Sequence, residues 1–242
     1  MATNSLPNCR TMNATRLYRL SHLPLALLLV LLLSLGLPGT LQAEVLDDAT
    51  YRIFLNGFPV GEHHLRVERQ GDRVIAHQKG EATISLGPIV ITRVKQETEE
   101  ILEDGKLVEL NITNTNGYYN EKVRHITARR GENGKIKLND DGDRDHVLPA
   151  SALPATGWNP DAMQAPVLIR PHKGRPSDVP SDIEITYHGE ERIDTPSGRV
   201  MTESWEMEGD LDARLWYEKE TQHLMRLVFR YKGNRVEYER QP

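Results

Sequence analysis

From Tyr51 onward, apolar residues recur at every second position, and this period constrains the fold more than any other feature of the chain. Tyr51, Ile53 and Leu55 alternate with polar partners, as do Leu65 and Val67, and Val108, Leu110 and Ile112. The pattern returns in Ile183, Ile185 and Tyr187, in Leu211, Ala213, Leu215 and Tyr217, and in Met225, Leu227, Phe229 and Tyr231. Successive strand residues point to opposite faces, so each run has one apolar and one wetter face. Between the runs lie Asn56-Gly57, Gly71-Asp72, Asp104-Gly105, Asn133-Gly134 and Lys232-Gly233. Such pairs tolerate the positive φ angles of tight hairpins. No long 3.6-residue period intervenes, which predicts an all-β, antiparallel fold. Runs of roughly ten residues favour a strongly coiled sheet, an open or closed β-barrel of spiral or lipocalin-like form, over a sandwich.

One stretch departs from this rhythm. Leu148 to Pro171 holds five prolines and the sequence Trp158-Asn159-Pro160. Asn159 is a good helix cap and Pro160 suits a first turn, so 158–164 is predicted as the one short helix. The stretch fits a plug or lid for a barrel and fits a plain connector equally well.

The N-terminus reads as an address. Arg10, Arg16 and Arg19 precede an apolar run, Leu23 to Leu37, followed by Pro38-Gly39 and then Ala43 before Glu44. A basic stretch, a run too short to span a bilayer comfortably and a small residue before an acidic start predict a signal peptide over residues 1–43. Cleavage after Ala43 would leave 44–242 as a single exported domain, in the periplasm of a Gram-negative host. An uncleaved anchor is the alternative, which Pro38 and Gly39 disfavour.

Charge and motifs then narrow the function classes. Segment 44–242 holds 27 basic and 35 acidic residues, a formal −8, which argues against a nucleic-acid partner. Cys9 is the only cysteine, so neither a disulfide framework nor a cysteine zinc site is expected. Asn139 to Asp145 resembles the start of a calcium loop, but Ala150 stands where the bidentate glutamate belongs. A solvated acidic turn is the expected reading there. His63 and His64 are adjacent, so a strand directs them to opposite faces. The chain has no nucleophile elbow, phosphate-binding glycine loop or HExxH motif, and no metal or cofactor is expected.

Aromatics remain as candidate ligand-binding residues: Trp158, Trp205, Trp216, Tyr118 and Tyr119. With a few polar neighbours they would line an apolar cavity inside a barrel, or else fill its core. The expected function is a non-catalytic periplasmic envelope protein that binds an apolar or lipid-like molecule, or a peptide from an envelope partner. The alternative is a hydrolase-like enzyme with an acid/base pair drawn from Glu203, His125 and His223 on the barrel wall. The final strands carry dense apolar stripes. Removal of 224–242 should therefore abolish folding, and removal of 44–47 should be tolerated.

Two end motifs carry a resemblance. Tyr51, Gly57 and Gly61 form an N-terminal hairpin pattern, and Asp212, Leu215, Trp216 and Tyr217 form a C-terminal one, with Trp158-Asn159-Pro160 between. This arrangement, over 48–240, resembles the DUF6134 family of exported bacterial proteins. The resemblance implies an all-β, periplasmic-type domain and supplies no catalytic residues. Gly157 stands where the family commonly has an aromatic before the central tryptophan.

Overall fold

The computed structural model describes residues 43–141, 145–172, 176–178 and 182–242. The expected signal peptide lies outside the described residues, apart from Ala43 itself. Residues 42–242 form one compact unit.

Eight strands meander from the N-terminal side: β1 (Glu44–Leu55), β2 (Phe58–Gln70), β3 (Arg73–Leu86), β4 (Ile89–Glu103), β5 (Lys106–Asn116), β6 (Lys122–Arg130), β7 (Ile136–Asp140) and β8 (His146–Leu148). After a small sheet of β9 (Leu153–Pro154), β10 (Val167–Ile169) and β11 (Pro176–Asp178), five more strands follow. These are β12 (Ile183–Thr195), β13 (Gly198–Gly209), β14 (Ala213–Glu218), β15 (Leu224–Tyr231) and β16 (Asn234–Arg240). The two meanders join where β16 pairs antiparallel with β1, Tyr51 opposite Arg240 and Leu55 opposite Val236. The result is one 13-stranded sheet with β12 and β8 at its two edges, which do not pair with each other among the described residues.

The hairpin turns form as their chemistry predicts. Asn56-Gly57, Asp104-Gly105 and Lys232-Gly233 each place both central residues at positive φ. That twist matches the right-handed twist of the flanking strands.

Alternation sends Ala49, Tyr51, Leu65, Val67, Ile112, Ile126, Leu138, Leu215 and Tyr217 into one shared core. Bulges adjust the expected phase in two places. A register shift at Ile101/Leu102 turns Leu107, rather than Val108, inward. Another, at Trp216/Tyr217, lets both Leu224 and Met225 bury. The C-terminal stripe therefore runs outward along its strand. Leu227 and Phe229 are half-buried and Tyr231 is 48% exposed.

The proline-rich stretch lies against the concave side of this sheet. Ala152, Leu153, Ala162, Met163, Ala165, Leu168 and Ile169 belong to the same core as the inward faces of both meanders. It is thus an interior strap and not a surface connector. Its helix is a single 3-10 turn, Pro160–Gln164, capped by the Asn159 side chain accepting from the Asp161 amide. The turn at 139–145 departs from a wholly solvated tip, because Asp140 is buried and paired with Arg124.

Candidate functional site

The inner face of β2, β3 and β4 carries polar groups where an all-apolar wall would be expected. His63, Gln78, Thr98 and Glu100 are all buried there. Gly80 makes this arrangement fit, since a Cβ at that position would sit 2.9 Å from His63 Nδ1. His63 Nε2 and Gln78 Oε1 lie 3.2 Å apart, and Tyr238 meets the imidazole edge-on at 5.4 Å. Burial pushes the His63 pKa down to about 4, so the ring is neutral at physiological pH.

Glu100 is the most constrained member. Its Oε2 accepts from Trp158 Nε1 at 2.9 Å and from Thr156 Oγ1 at 2.7 Å, both on the strap. Its Oε1 is buried with no side-chain or backbone partner among the described residues. Burial pushes its pKa up to about 7, opposed by the Trp158 and Thr156 donors. A carboxyl poised there is in the range a general acid or base requires. Here, though, the group is fully buried and its engaged oxygen holds the strap. A second bond fixes the same turn of chain, Tyr217 Oη donating to the Gly157 carbonyl at 2.9 Å. Gly157 has φ +86°, a conformation suited to glycine, which accounts for its presence before the tryptophan. Together these contacts form an interior latch between the strap, β4 and β14.

The five aromatics singled out in the sequence are not gathered into one cavity. Trp158 is half-buried in the latch. Trp205 packs at the margin of the core with Tyr187, ring centroids 4.7 Å apart. Trp216 faces the opposite side of the sheet from Leu215 and Tyr217, donating to Glu191 Oε1 at 2.7 Å under the Arg214 guanidinium. Tyr118 and Tyr119 stack edge-to-face at 4.7 Å in the β5–β6 turn, where Tyr119 is 88% exposed.

The residues named for an acid/base pair are also apart. Glu203 lies on β13, where Gln222 Nε2 donates to it at 3.1 Å. His125 lies on β6 beside Thr113, and His223 lies in the β14–β15 turn with Nε2 3.1 Å from the Leu46 carbonyl. The carboxylate nearest His223 is Asp47, at 3.7 Å, but both Asp47 oxygens accept from Arg240, at 2.6 and 3.0 Å.

Two other surfaces stand out. An open groove of about 560 Å³ runs over the outer face of β1 to β5. Its walls carry ion pairs laid across neighbouring strands, Asp48–Arg66 at 2.7 Å and Lys79–Glu97 at 3.2 Å, with His77 Nδ1 3.5 Å from Glu99. These pairs satisfy one another and leave little demand for a ligand.

The second surface is a rim. The turns β15–β16, β1–β2, β3–β4 and β5–β6 lie at one end of eight strands that are consecutive in the sheet. Twelve large apolar side chains are exposed among the described residues, and nine of them lie in these turns or beside them. They are Phe58, Leu86, Ile89, Ile91, Val94, Tyr118, Tyr119, Val123 and Tyr231. The opposite rim carries polar turns, Gly71-Asp72, Asp104-Gly105 and Glu218 to Gln222. Sequence reasoning passed over most of the apolar rim. The signal was present, because Ala82 to Thr92 holds no charged residue in a chain that is 27% charged.

A coiled antiparallel sheet that packs its own strap inside, latched by a buried carboxyl, defines a spiral β-barrel-like protein. The chain belongs to the DUF6134 family, a domain of unknown function whose profile matches residues 51–241. It is also similar in fold to a β-barrel-like protein of the domain of unknown function DUF1849 from Brucella abortus, known from a crystal structure. That likeness has a TM-score of 0.58 at 10% identity and covers 80% of this chain and 94% of the other. No curated protein matches this chain.

Proposed function

We propose that this chain is a non-catalytic, exported component of the cell envelope whose apolar rim holds an apolar, lipid-like partner. The observation that carries this reading is the concentration of nine of the twelve exposed large apolar side chains on one contiguous arc. Isolated exposed apolar residues are ordinary, whereas a contiguous cluster bordered by polar groups is typical of an interaction site. The interior is taken by the strap, which moves the expected ligand contact from the barrel lumen to its end. Export to the periplasm is supported by the basic, apolar and small-residue order of the first 43 residues.

Native mass spectrometry of protein purified from the envelope fraction of its own host tests this reading. Co-purifying lipid, or a co-purifying protein that departs when rim residues are made polar, is the expected result. Protein that carries neither, in detergent-free and mild-detergent preparations alike, would overturn it.

A further inference from the structure

We infer that the β3–β4 hairpin is a membrane-docking element that seats this rim on an anionic lipid surface. The inference rests on the rim-binding reading above and names its partner.

The hairpin separates from its neighbours towards its tip. Pairing between β2 and β3 ends at Gly61 opposite Ala82, and pairing between β4 and β5 ends at Val94 opposite Asn116. Beyond those points Thr83 to Leu86 pair only with Ile89 to Arg93. The one further backbone bond there runs from the Gly117 amide to the Arg93 carbonyl, 3.0 Å. The separated ribbon bears Leu86 at 73% exposure, Ile89 at 62% and Ile91 at 57%.

Its two sides are both apolar. The pairs Ile84–Thr92 and Leu86–Ile89 lie on one side, and the intervening pair Ser85–Val90 puts Val90 on the other, with Ile91 at the bulge between them. A protein groove asks for one apolar face, whereas an apolar medium surrounds a ribbon from every side. The free backbone edges of the ribbon limit its depth, because unpaired amides and carbonyls are costly in hydrocarbon. Docking at headgroup level satisfies both conditions.

The surroundings match that depth. Tyr118 and Tyr119 flank the hairpin, and tyrosine favours the membrane–water interface. The Arg93 guanidinium lies over the Tyr118 ring at 5.5 Å, set back from the tip. Across 52–62, 81–95, 116–124 and 230–235 there are eight Lys and Arg against three Glu, and setting aside Arg124, paired with Asp140, and Arg235, paired with Glu237, leaves six against three. Within a domain of formal charge −8, that arc is locally basic and complements anionic headgroups.

The test is flotation of the purified protein with vesicles of phosphatidylethanolamine and phosphatidylglycerol. The wild type should float with these vesicles and float less with zwitterionic ones of phosphatidylcholine. The variant carrying Leu86→Ser, Ile89→Ser and Ile91→Ser should lose roughly 100-fold in partitioning, the order expected when three large apolar side chains are each only partly withdrawn from water at headgroup level. Its melting temperature should stay near that of the wild type, because all three side chains are already in water. Tyr119→Ser, in an irregular turn, gives an independent variant that keeps the hairpin intact and should also weaken flotation.

A wild type that stays with the free protein on anionic vesicles overturns the inference, as does a triple variant that floats equally well. If flotation fails while a rim-dependent protein partner co-purifies from the envelope, the lipid assignment falls and rim binding stands. If neither appears, both readings fall.

Discussion

At the scale of single residues, the fold depends on a few buried polar groups whose protonation is tied to folding. Glu100 titrates at about 7 in the folded chain against 4.5 in the reference, so the folded state binds this proton more tightly. Its contribution is therefore greatest below pH 4.5 and is lost as pH rises to 7, a span worth about 3 kcal/mol. Glu100→Gln should remove that loss, flattening melting temperature against pH between 4.5 and 7; an unchanged slope would contradict the assignment. His63 works in the opposite direction. Its pKa is depressed from 6.5 to about 4, so its neutral, buried form stabilises above 6.5 and that stability is lost as pH falls toward 4. Tyr217→Phe should cost about 1–2 kcal/mol in denaturant unfolding, because the buried Gly157 carbonyl would lose its donor. None of this was visible as chemistry in the sequence. Glu100 is one of several Glu residues in β4, and only the curl of the sheet and the return of the strap distinguish it.

At the scale of elements, the hairpins were legible because their information is local. Period-two alternation and Asn-Gly or Asp-Gly pairs located the strands, and Asn159-Pro160 located the short helix. Bulges were not legible, since they arise from the partner strand, and so Leu107 took the inward place expected for Val108. The start of β1 shows the same limit. Residues 44–47 look dispensable in sequence, but Asp47 is buried and makes a two-oxygen pair with Arg240 of β16. Burial opposes the Arg240 charge, yet Asp47 and the Tyr51 hydroxyl hold its pKa above the ordinary value. Loss of one partner of a buried pair costs about 3 kcal/mol or more. Deletion of 44–45 should therefore be tolerated, while Asp47→Asn should lower the urea midpoint measurably. Equal midpoints for Asp47→Asn and the wild type would show that this pair carries no net stability.

At the scale of the whole molecule, one non-local pairing makes two meanders into a single sheet. β16 lies between β15 and β1, so deleting 224–242 removes the join and exposes two inner strands. That truncation should show no cooperative thermal transition; a melt near the full-length temperature would mean that the meanders fold independently. The same topology puts four turns far apart in sequence onto one arc, which is why the apolar rim escaped a reading made run by run. Its members are single exposed residues in separate turns until the sheet order brings them together. The central claim is that this rim meets an apolar medium and the other rim does not. With Cys9→Ser, any introduced cysteine is unique, so an environment-sensitive fluorophore can be placed at Ile89 or at Asp104 on the opposite rim. On addition of anionic vesicles, the probe at position 89 should shift to the blue and gain intensity while the probe at 104 stays unchanged. Equal shifts at both positions, or none at 89, would contradict the account.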